Sequence, residues 1–529
     1  MSDRLPLKFP KNNESNESNP AIRLFGNRFY NGQTIPEFLN EFLGLIYSEK
    51  NVGNVSFNTP FAKFEDLKYL NDFQLSYNMP VKLNLKLFSF LGNSRIDSRH
   101  KSHEEQFSRL AKRLKEKIRS DDDTIDEIVG QLEVLLRSFL GTGFSRDWCA
   151  KNFFPLSKSL LTRETIWSSS KAKNEDLTWI DSILRFNNYY VWSKRNFMAR
   201  GGELLYLQLC NAFIQDDLVL NEYRTSSCVA LEDNKPINEL YRSLQNGFEN
   251  MHSSYLTPFD KLIDFIEMLD PETHSLSNER AGLQVCEWCP QESWQEGYLF
   301  AIELDRILHA TLDPVDRLEM LMTGCVLQVL RSLCAQSVRY AGEVSELGSG
   351  GSLGYSWIFS HPQVSERGQR IASQRSLVAV QGLIQKALRY EALVENAKEG
   401  PKGADKYYKE ADSKYGHKLF VSLGKKMGII VPYTGRGARF ILTDKVIRYL
   451  VLTVLPPGSK CTYDEFLRRI YNHFGIAVEG EQLYDAMLWT GLPGLETSSS
   501  WLTEMLRAGG FLTELSDACS IVNNPFGEE

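Results

Sequence analysis

The sequence predicts a mainly α protein with minor β, in which a helical multi-domain body precedes two C-terminal modules of helices and hairpins. The first observation behind this prediction is the helical spacing of apolar residues from Asp147 to about Val344, where strand patterns are sparse. The second is a motif that occurs twice near the C-terminus, beginning at Met427 and at Met505. In both copies a helix ends at glycine and is followed by two short apolar strands around a polar turn.

The size and charge of the chain restrict its class. Its 529 residues suffice for several domains, each able to bury its own core. The composition, 42% hydrophobic and 24% charged, is that of a soluble globular protein. A net charge of −7 argues against coating nucleic acid with the whole surface, so any DNA contact is expected to be local.

Cysteine usage and hydropathy indicate the compartment. The nine cysteines are scattered and odd in number, which favours free thiols in a reducing environment over a disulfide framework. The N-terminus has no apolar signal core, and no run approaches the ~18 apolar residues of a membrane span. We therefore expect a soluble, cytoplasmic protein.

Shifts in composition and periodicity divide the chain into six predicted regions. These are a disordered tail (1–20), an N-terminal α+β region (21–145), a helical body (146–345), a linker (346–366), a long helix with a basic module (367–443) and an acidic module (444–529). The linker prediction rests on the run of Gly and Ser at 348–354, which is flexible by composition. The helical pattern after the linker continues from Arg367 to Lys398 and predicts one long helix.

The acidic module, 444–529, has the more complete pattern. Asp444 is expected to cap a helix, and Lys460-Cys461 fits a short strand. Thr462-Tyr-Asp-Glu465 matches a capping box that starts the next helix, and a last helix, Trp501–Ala508, leads into the hairpin. This order of helices, strand and hairpin is that of a winged helix-turn-helix, a module that binds DNA or other proteins.

In the basic module, 367–443, the sequence clearly predicts only the last helix, about His417–Lys426, and the hairpin that follows it. The hairpin turn, Thr434–Arg439, is short, glycine-rich and cationic, and such a turn can reach a phosphate backbone or a minor groove. A solvated turn, in which glycine permits positive φ and arginine contacts only water, is about as well supported. The candidate DNA-binding residues are Lys418, Lys425, Lys426, Arg436, Arg439 and Lys445.

Charge separates the two modules. From Lys406 to Arg469 there are 13 Lys and Arg against 5 Asp and Glu, a net charge of +8. From Ile470 to Glu529 there are 1 and 9, a net charge of −8. Only the first segment is electrostatically suited to DNA, and the second is expected to contact protein or to pack.

Four further constellations have mainly structural interpretations. Cys286 and Cys289 form a lone C-x-x-C without a second ligand pair, so two free thiols are favoured over a metal or redox site. His100 and His103 are expected at a solvated helix start. The segments around Arg163-Glu164 and Arg200-Gly-Gly-Glu203 combine charge with apolar surroundings. For the second, buried ion pairing is favoured over a ligand cleft. No catalytic, metal or cofactor-binding motif is recognised, and neither a cofactor nor a metal is expected.

Three C-terminal segments carry a resemblance to known proteins. They are Gly428-Ile-Ile-Val-Pro432, Val451–Gly458 and Leu515–Phe526. They resemble segments of proteins encoded in bacterial anti-phage defence islands beside ATPases or helicases. The resemblance implies a non-enzymatic accessory subunit of a multi-protein defence complex, which binds DNA, a partner ATPase or helicase, or both. No catalytic residue is implied.

Two alternatives remain open from the sequence. The first is an enzyme, most simply a metal-dependent nuclease with scattered Asp and Glu ligands within residues 21–345. The second is a structural scaffold whose C-terminal modules only pack against other parts of the molecule.

Overall fold

The computed structural model confirms a mainly α fold with minor β. It describes residues 19–26, 28–71, 74–93, 100–120, 122–172, 176–191, 200–227, 235–252, 257–341, 350–363, 366–390, 393, 403–492, 501–516 and 519–527. Nearly all of the predicted disordered tail, 1–20, lies outside these residues. Its last two residues begin the first helix, where the Asn19 side chain accepts a hydrogen bond from the N–H of Ala21 at 3.0 Å.

The helices are given in chain order. In the first half they are α1 (Pro20–Phe25), α2 (Ile35–Tyr47), α3 (Leu83–Phe90), α4 (Lys101–Lys115), α5 (Asp122–Ser138), α6 (Ser169–Ala172), α7 (Trp179–Leu184), α8 (Phe186–Tyr189), α9 (Gly201–Phe213), α10 (Asp217–Ser226) and α11 (Ile237–Asn250). In the second half they are α12 (Thr257–Glu267), α13 (Pro271–Ala281), α14 (Trp294–His309), α15 (Pro314–Ala341), α16 (Arg367–Ala387), α17 (Ala404–Glu410), α18 (His417–Met427), α19 (Asp444–Val454), α20 (Tyr463–Phe474), α21 (Gly480–Trp489) and α22 (Trp501–Ala508). A π-helical turn, Ala411–Tyr415, follows α17.

The strands are short and form small sheets. They are β1 (Glu49–Val52), β2 (Val55–Phe57), β3 (Leu75–Asn78), β4 (Leu140–Thr142), β5 (Asn152–Phe153), β6 (Ile166–Trp167), β7 (Tyr190–Val191), β8 (Gln284–Val285), β9 (Trp357–Ser360), β10 (Ile430–Val431), β11 (Arg439–Ile441), β12 (Lys460–Thr462), β13 (Ile476–Ala477), β14 (Leu512–Ser516) and β15 (Cys519–Asn523). An antiparallel sheet in the order β2-β1-β3-β8 joins the N-terminal region to the body.

Among the described residues, buried apolar side chains form two large clusters. The larger one runs through the body and both C-terminal modules, and it contains residues of α2, α9, α11, α14, α15, α16, α18, α19 and α20. The smaller one is built from residues between 81 and 190 together with residues between 263 and 281. The chain therefore runs mainly through the smaller core between β3 and α9, and it returns to that core along α12 and α13.

Helix α15 is the central helix of the main core. By length and composition it could cross a membrane, since its most apolar 18-residue window has a mean hydropathy of 1.4. However, 89% of that window is buried inside the protein, as in the core helix of a soluble protein. The sequence predicted that no segment approaches the length and composition of a membrane span. Helix α15 does approach them, so the prediction is corrected on this point.

The acidic module, 444–529, contains each predicted element. Helix α19 is followed by β12, α20, α21, α22 and the hairpin β14–β15, and its three-stranded sheet has the order β12-β15-β14. Thr462 caps α20, accepting a hydrogen bond from the N–H of Glu465 at 3.3 Å. The predicted cap of α19 was wrong by one residue. The side chain of Thr443, and not that of Asp444, accepts the hydrogen bond from the N–H of Val446.

The predicted linker, 346–366, contains a buried strand. The four residues of β9 are buried, and β9 pairs in parallel with β11 on one side and with β13 on the other. The preceding turn is also packed, since a Cβ atom at Gly351 would lie 2.8 Å from the ring of Tyr471. The linker prediction is therefore wrong over its described part, and the sheet β10-β11-β9-β13 crosses the predicted boundary at residue 444.

Two smaller predictions also change. The helix from Arg367 ends at Ala387, not near Lys398, and part of the remaining segment, 391–392 and 394–398, lies outside the described residues. His103 is fully buried rather than solvated, because its ring packs against Trp148 and Trp167 at centroid distances of 5.2 and 4.4 Å.

Candidate nucleic-acid interface

The hairpin β10–β11 presents a polar turn on an apolar base. Helix α18 ends at Gly428, whose φ of +85° reverses the chain, and Ile430 then pairs with Phe440 across the hairpin. The ring of Phe440 is buried and stacks on Phe359 of β9 at 5.4 Å. Residues 433–437 are exposed. The base is thus fixed in the core and the turn projects from it.

Five of the six predicted DNA-binding residues, all except Lys445, belong to helix α18 and this hairpin. Lys418 and Arg436 are exposed. Lys425 Nζ donates a hydrogen bond to the carbonyl of Tyr433 at 2.9 Å, which fixes the start of the turn. Arg439 Nη2 donates to the carbonyl of Pro362 at 3.3 Å and is partly buried. Arg436 is therefore the freest cation of the turn, whereas Lys425 and Arg439 also support its backbone.

Lys426, which is also on α18, and Lys445 have contacts with other parts of the molecule. Lys426 Nζ donates hydrogen bonds to the carbonyls of Asn31 and Gln33 at 3.1 and 3.2 Å, and partial burial lowers the pKa of Lys426. Lys445 Nζ lies 3.7 Å from the carboxylate of Glu319 on α15. We therefore assign Lys426 to the contact with the N-terminal region and Lys445 to a surface ion pair with the body.

Helix α16 contributes cations that the sequence analysis missed. Gln374 Nε2 donates to the carbonyl of Gly437 at 3.4 Å, which places this helix beside the hairpin turn. Arg367, Arg370 and Arg375 are exposed on α16. The charge of this segment could have identified these cations from the sequence, because residues 367–390 contain five Lys and Arg and no Asp or Glu. We refer to Arg367, Arg370, Arg375, Arg436 and Arg439 as the basic surface.

Two charges of the basic surface, those of Arg370 and Arg439, repel each other. The pKa of Arg439 is lowered, first by burial and then by the positive charge of Arg370. Within the described part of the chain, no acidic side chain forms an ion pair with any of its five arginines. Like charges held together without a counter-charge favour an anionic partner.

No protein-family model, curated protein or solved structure matches this chain. Its function is therefore inferred from its own residues.

The two charged segments singled out in the body meet at one cavity. Arg163 and Glu164 lie on one side, and Arg200 and Glu203 at the start of α9 lie on another. The predicted pairing of Arg200 with Glu203 is present at 3.4 Å, and Arg200 also donates to the carbonyl of Val285 at 2.7 Å. The sequence allowed two interpretations of this segment, a buried ion pair and a ligand cleft. The structure contains the ion pair between Arg200 and Glu203, and this pair lines the cavity.

The surroundings of the cysteine pair favour the neutral thiols. Cys286 and Cys289 are free, and burial raises the pKa of both thiols, that of Cys289 to about 12. A thiol held in its neutral form is a poor nucleophile and metal ligand. Over the described ranges, no three His, Cys, Asp or Glu side chains are grouped to hold a metal ion.

Proposed function

We propose that the chain is a non-catalytic accessory subunit that binds DNA along the basic surface. The observation that carries this proposal is the contact of α16 with the exposed cationic turn, where Gln374 Nε2 lies 3.4 Å from the carbonyl oxygen of Gly437. This contact brings the like charges of Arg370 and Arg439 within interaction range, and neither arginine forms an ion pair with an acidic side chain among the described residues. Phosphate groups relieve this repulsion, and release of their counterions favours binding. Residues 433–437 supply the part of the surface that can enter a groove.

The shape of the C-terminal region supports the same proposal. The order of elements in residues 444–527, with the sheet order β12-β15-β14, supports the interpretation of this segment as a winged helix-turn-helix. Its net charge of −8 from Ile470 onward disfavours contact with phosphate. In this proposal the acidic module is the contact for a partner protein, and DNA lies on the basic surface.

The biological setting is a proposal that rests on the resemblance described above. It places the chain in the bacterial cytoplasm, as a subunit of an anti-phage defence complex beside an ATPase or helicase. Basic and acidic surfaces on one chain suit a subunit that connects DNA to a protein partner.

Binding of a fluorescent duplex, measured by anisotropy over a range of salt concentrations, tests the DNA-binding proposal. The double variant Arg370→Ala, Arg436→Ala should bind more weakly, and its plot of log affinity against log salt should be shallower by about 2, near one unit per lost phosphate contact. Lys261→Ala, which removes an exposed charge on α12, serves as the control and should match the wild type. Equal salt slopes for the double variant and the wild type would refute the assignment.

A further inference from the structure

Tyr433 is an exposed aromatic residue in the cationic turn between β10 and β11. Its exposed fraction is 68%, and among the described residues only Leu218, at 75%, is a large apolar side chain with a greater exposed fraction. The ring of Tyr433 forms no stacking or cation–π contact with any described residue. Packing within the chain therefore does not explain an aromatic side chain at this position.

The backbone on both sides of Tyr433 is held in place. Lys425 Nζ donates a hydrogen bond to the carbonyl of Tyr433 at 2.9 Å. Two residues before it, Val431 pairs with Arg439 across the hairpin. A tyrosine on a fixed backbone loses little conformational freedom when it binds a partner, because its ring is placed by only two side-chain torsions. The ring is therefore well prepared for a contact outside the chain.

The surroundings of the ring are positively charged. Arg436 is exposed and lies three residues after Tyr433, so the Cα atoms of the two residues are at most about 11 Å apart. No Asp or Glu occurs between Lys425 and Asp444. The contact of α16 with the turn adds the arginines of that helix. The ring and several cations can therefore contact the same short stretch of a polyanion.

A nucleic-acid strand with an unpaired base matches this combination of groups. Its phosphates bind the cations, and its base offers a flat face on which an aromatic ring stacks. In a duplex the faces of each base are covered by the neighbouring base pairs, and contacts to the duplex backbone need charge and hydrogen bonds but no ring. An exposed ring beside cations is typical of surfaces that bind single strands.

We propose that Tyr433 stacks on an unpaired base, so that the DNA bound at the basic surface is single-stranded or carries a single-stranded end. This inference rests on the proposed DNA-binding function and names the class of DNA. The basic surface binds the phosphates, and Tyr433 binds the face of one base. Little sequence preference is expected from this contact, because every base has a face that can stack.

Anisotropy titrations of the full chain with a labelled oligothymidylate and with a blunt duplex of the same length test this inference. Tyr433→Ala should weaken binding of the oligothymidylate about fivefold to a hundredfold, the range expected for the loss of one base–aromatic stack. Binding of the duplex should not change. The dependence of affinity on salt should also be unchanged in Tyr433→Ala, because no charge is removed.

Two matched variants separate stacking from other effects. Tyr433→Phe keeps the ring and should bind the oligothymidylate as the wild type does. Tyr484→Ala removes a tyrosine of α21 that is 56% exposed in the acidic module, and it should bind both forms of DNA as the wild type does.

The possible failures are distinguishable from one another. Unchanged affinity of Tyr433→Ala for the oligothymidylate, or a wild type that binds only the duplex, would overturn the inference. The DNA-binding proposal would then still stand on the double variant Arg370→Ala, Arg436→Ala. Equal losses on both forms of DNA would assign Tyr433 to the duplex, as a wedge between base pairs, and would also overturn the inference. A wild type that binds neither form would refute both proposals.

Discussion

Glu303 lies fully buried on α14 and joins four helices through its carboxylate. It accepts hydrogen bonds from Arg331 of α15, from the hydroxyl of Tyr449 of α19 and from His473 of α20, the last at 2.7 Å. Burial alone would raise the pKa of Glu303, but the charge of Arg331 and these hydrogen bonds hold it below its ordinary value. Glu303 thus anchors the acidic module to the body.

Replacing Glu303 by Gln should destabilise the protein by about 3–5 kcal/mol, because Arg331 would remain buried without its counter-charge. Glu319→Gln is the matched control, since it removes the partner of Lys445 from a half-exposed surface pair and should cost less than about 1 kcal/mol. Urea unfolding of both variants measures the difference. Similar losses for the two variants would contradict the anchoring role.

Single residues also show where sequence reasoning ends. The exposed turn at Arg436 was predicted correctly, because its glycines and cations mark a hairpin turn. The burial of His103 was not predicted, because its neighbours in sequence are polar and its partners, Trp148 and Trp167, come from later segments. Helical spacing alone does not reveal partners that are distant in sequence.

At the scale of elements, the helices and hairpins with local signals were predicted and β9 was not. Caps and glycine stops define α18, α20 and α22 within the sequence itself. In contrast, β9 has four consecutive buried residues and no alternation, and both of its neighbours lie much later in the chain. A strand that is buried on both faces and follows a glycine-rich segment has no local pattern that distinguishes it.

The turn before β9 yields a prediction at the same scale. Gly351→Ala should destabilise the protein more than Gly403→Ala, because both positions have positive φ but only the first would bring Cβ against a ring, that of Tyr471. The left-handed backbone costs about 1–2 kcal/mol in both variants, and overpacking adds about 1–3 kcal/mol in the first. Urea unfolding compares the two. Equal losses would restore the flexible-linker interpretation of this turn.

At the scale of the whole molecule, the boundaries of the predicted regions are the least accurate part of the sequence analysis. The main core continues from α2 through α20, and the sheet β10-β11-β9-β13 joins segments that were assigned to three regions. Composition identifies charge and flexibility along the chain, but not which distant segments share a core. For the same reason, the arginines of α16 were not grouped with the hairpin turn.

Buried histidines make the whole fold sensitive to acid. Burial lowers the pKa of His103 to about 3 and that of His252 and His473 to about 4. The unfolded chain, with histidine pKa near 6.5, binds more protons, so these residues lower the free energy of unfolding as pH falls below about 6.5. The raised pKa of His309, Glu203 and Glu267 acts in the opposite direction.

His103→Phe should reduce the loss of stability between pH 7 and pH 5 by about 2 kcal/mol, because the variant no longer holds an unprotonated imidazole in its core. His309→Gln should have the opposite sign, since the folded state favours the protonated form of His309. Urea unfolding at both pH values gives the differences. The change with pH is compared, not absolute stability, because Trp148 loses its hydrogen-bond acceptor in His103→Phe. An unchanged pH dependence in His103→Phe would disprove this role.

The central position of β9 also has a consequence for the synthesis of the chain. Translation releases β9 from the ribosome before β10, β11 and β13 exist, so both of its edges lack partners at first. An apolar strand with unpaired edges is a site of misassembly until it is covered. The sheet β10-β11-β9-β13 therefore closes only after residue 477 has been translated, and one edge of β9 stays unpaired until then.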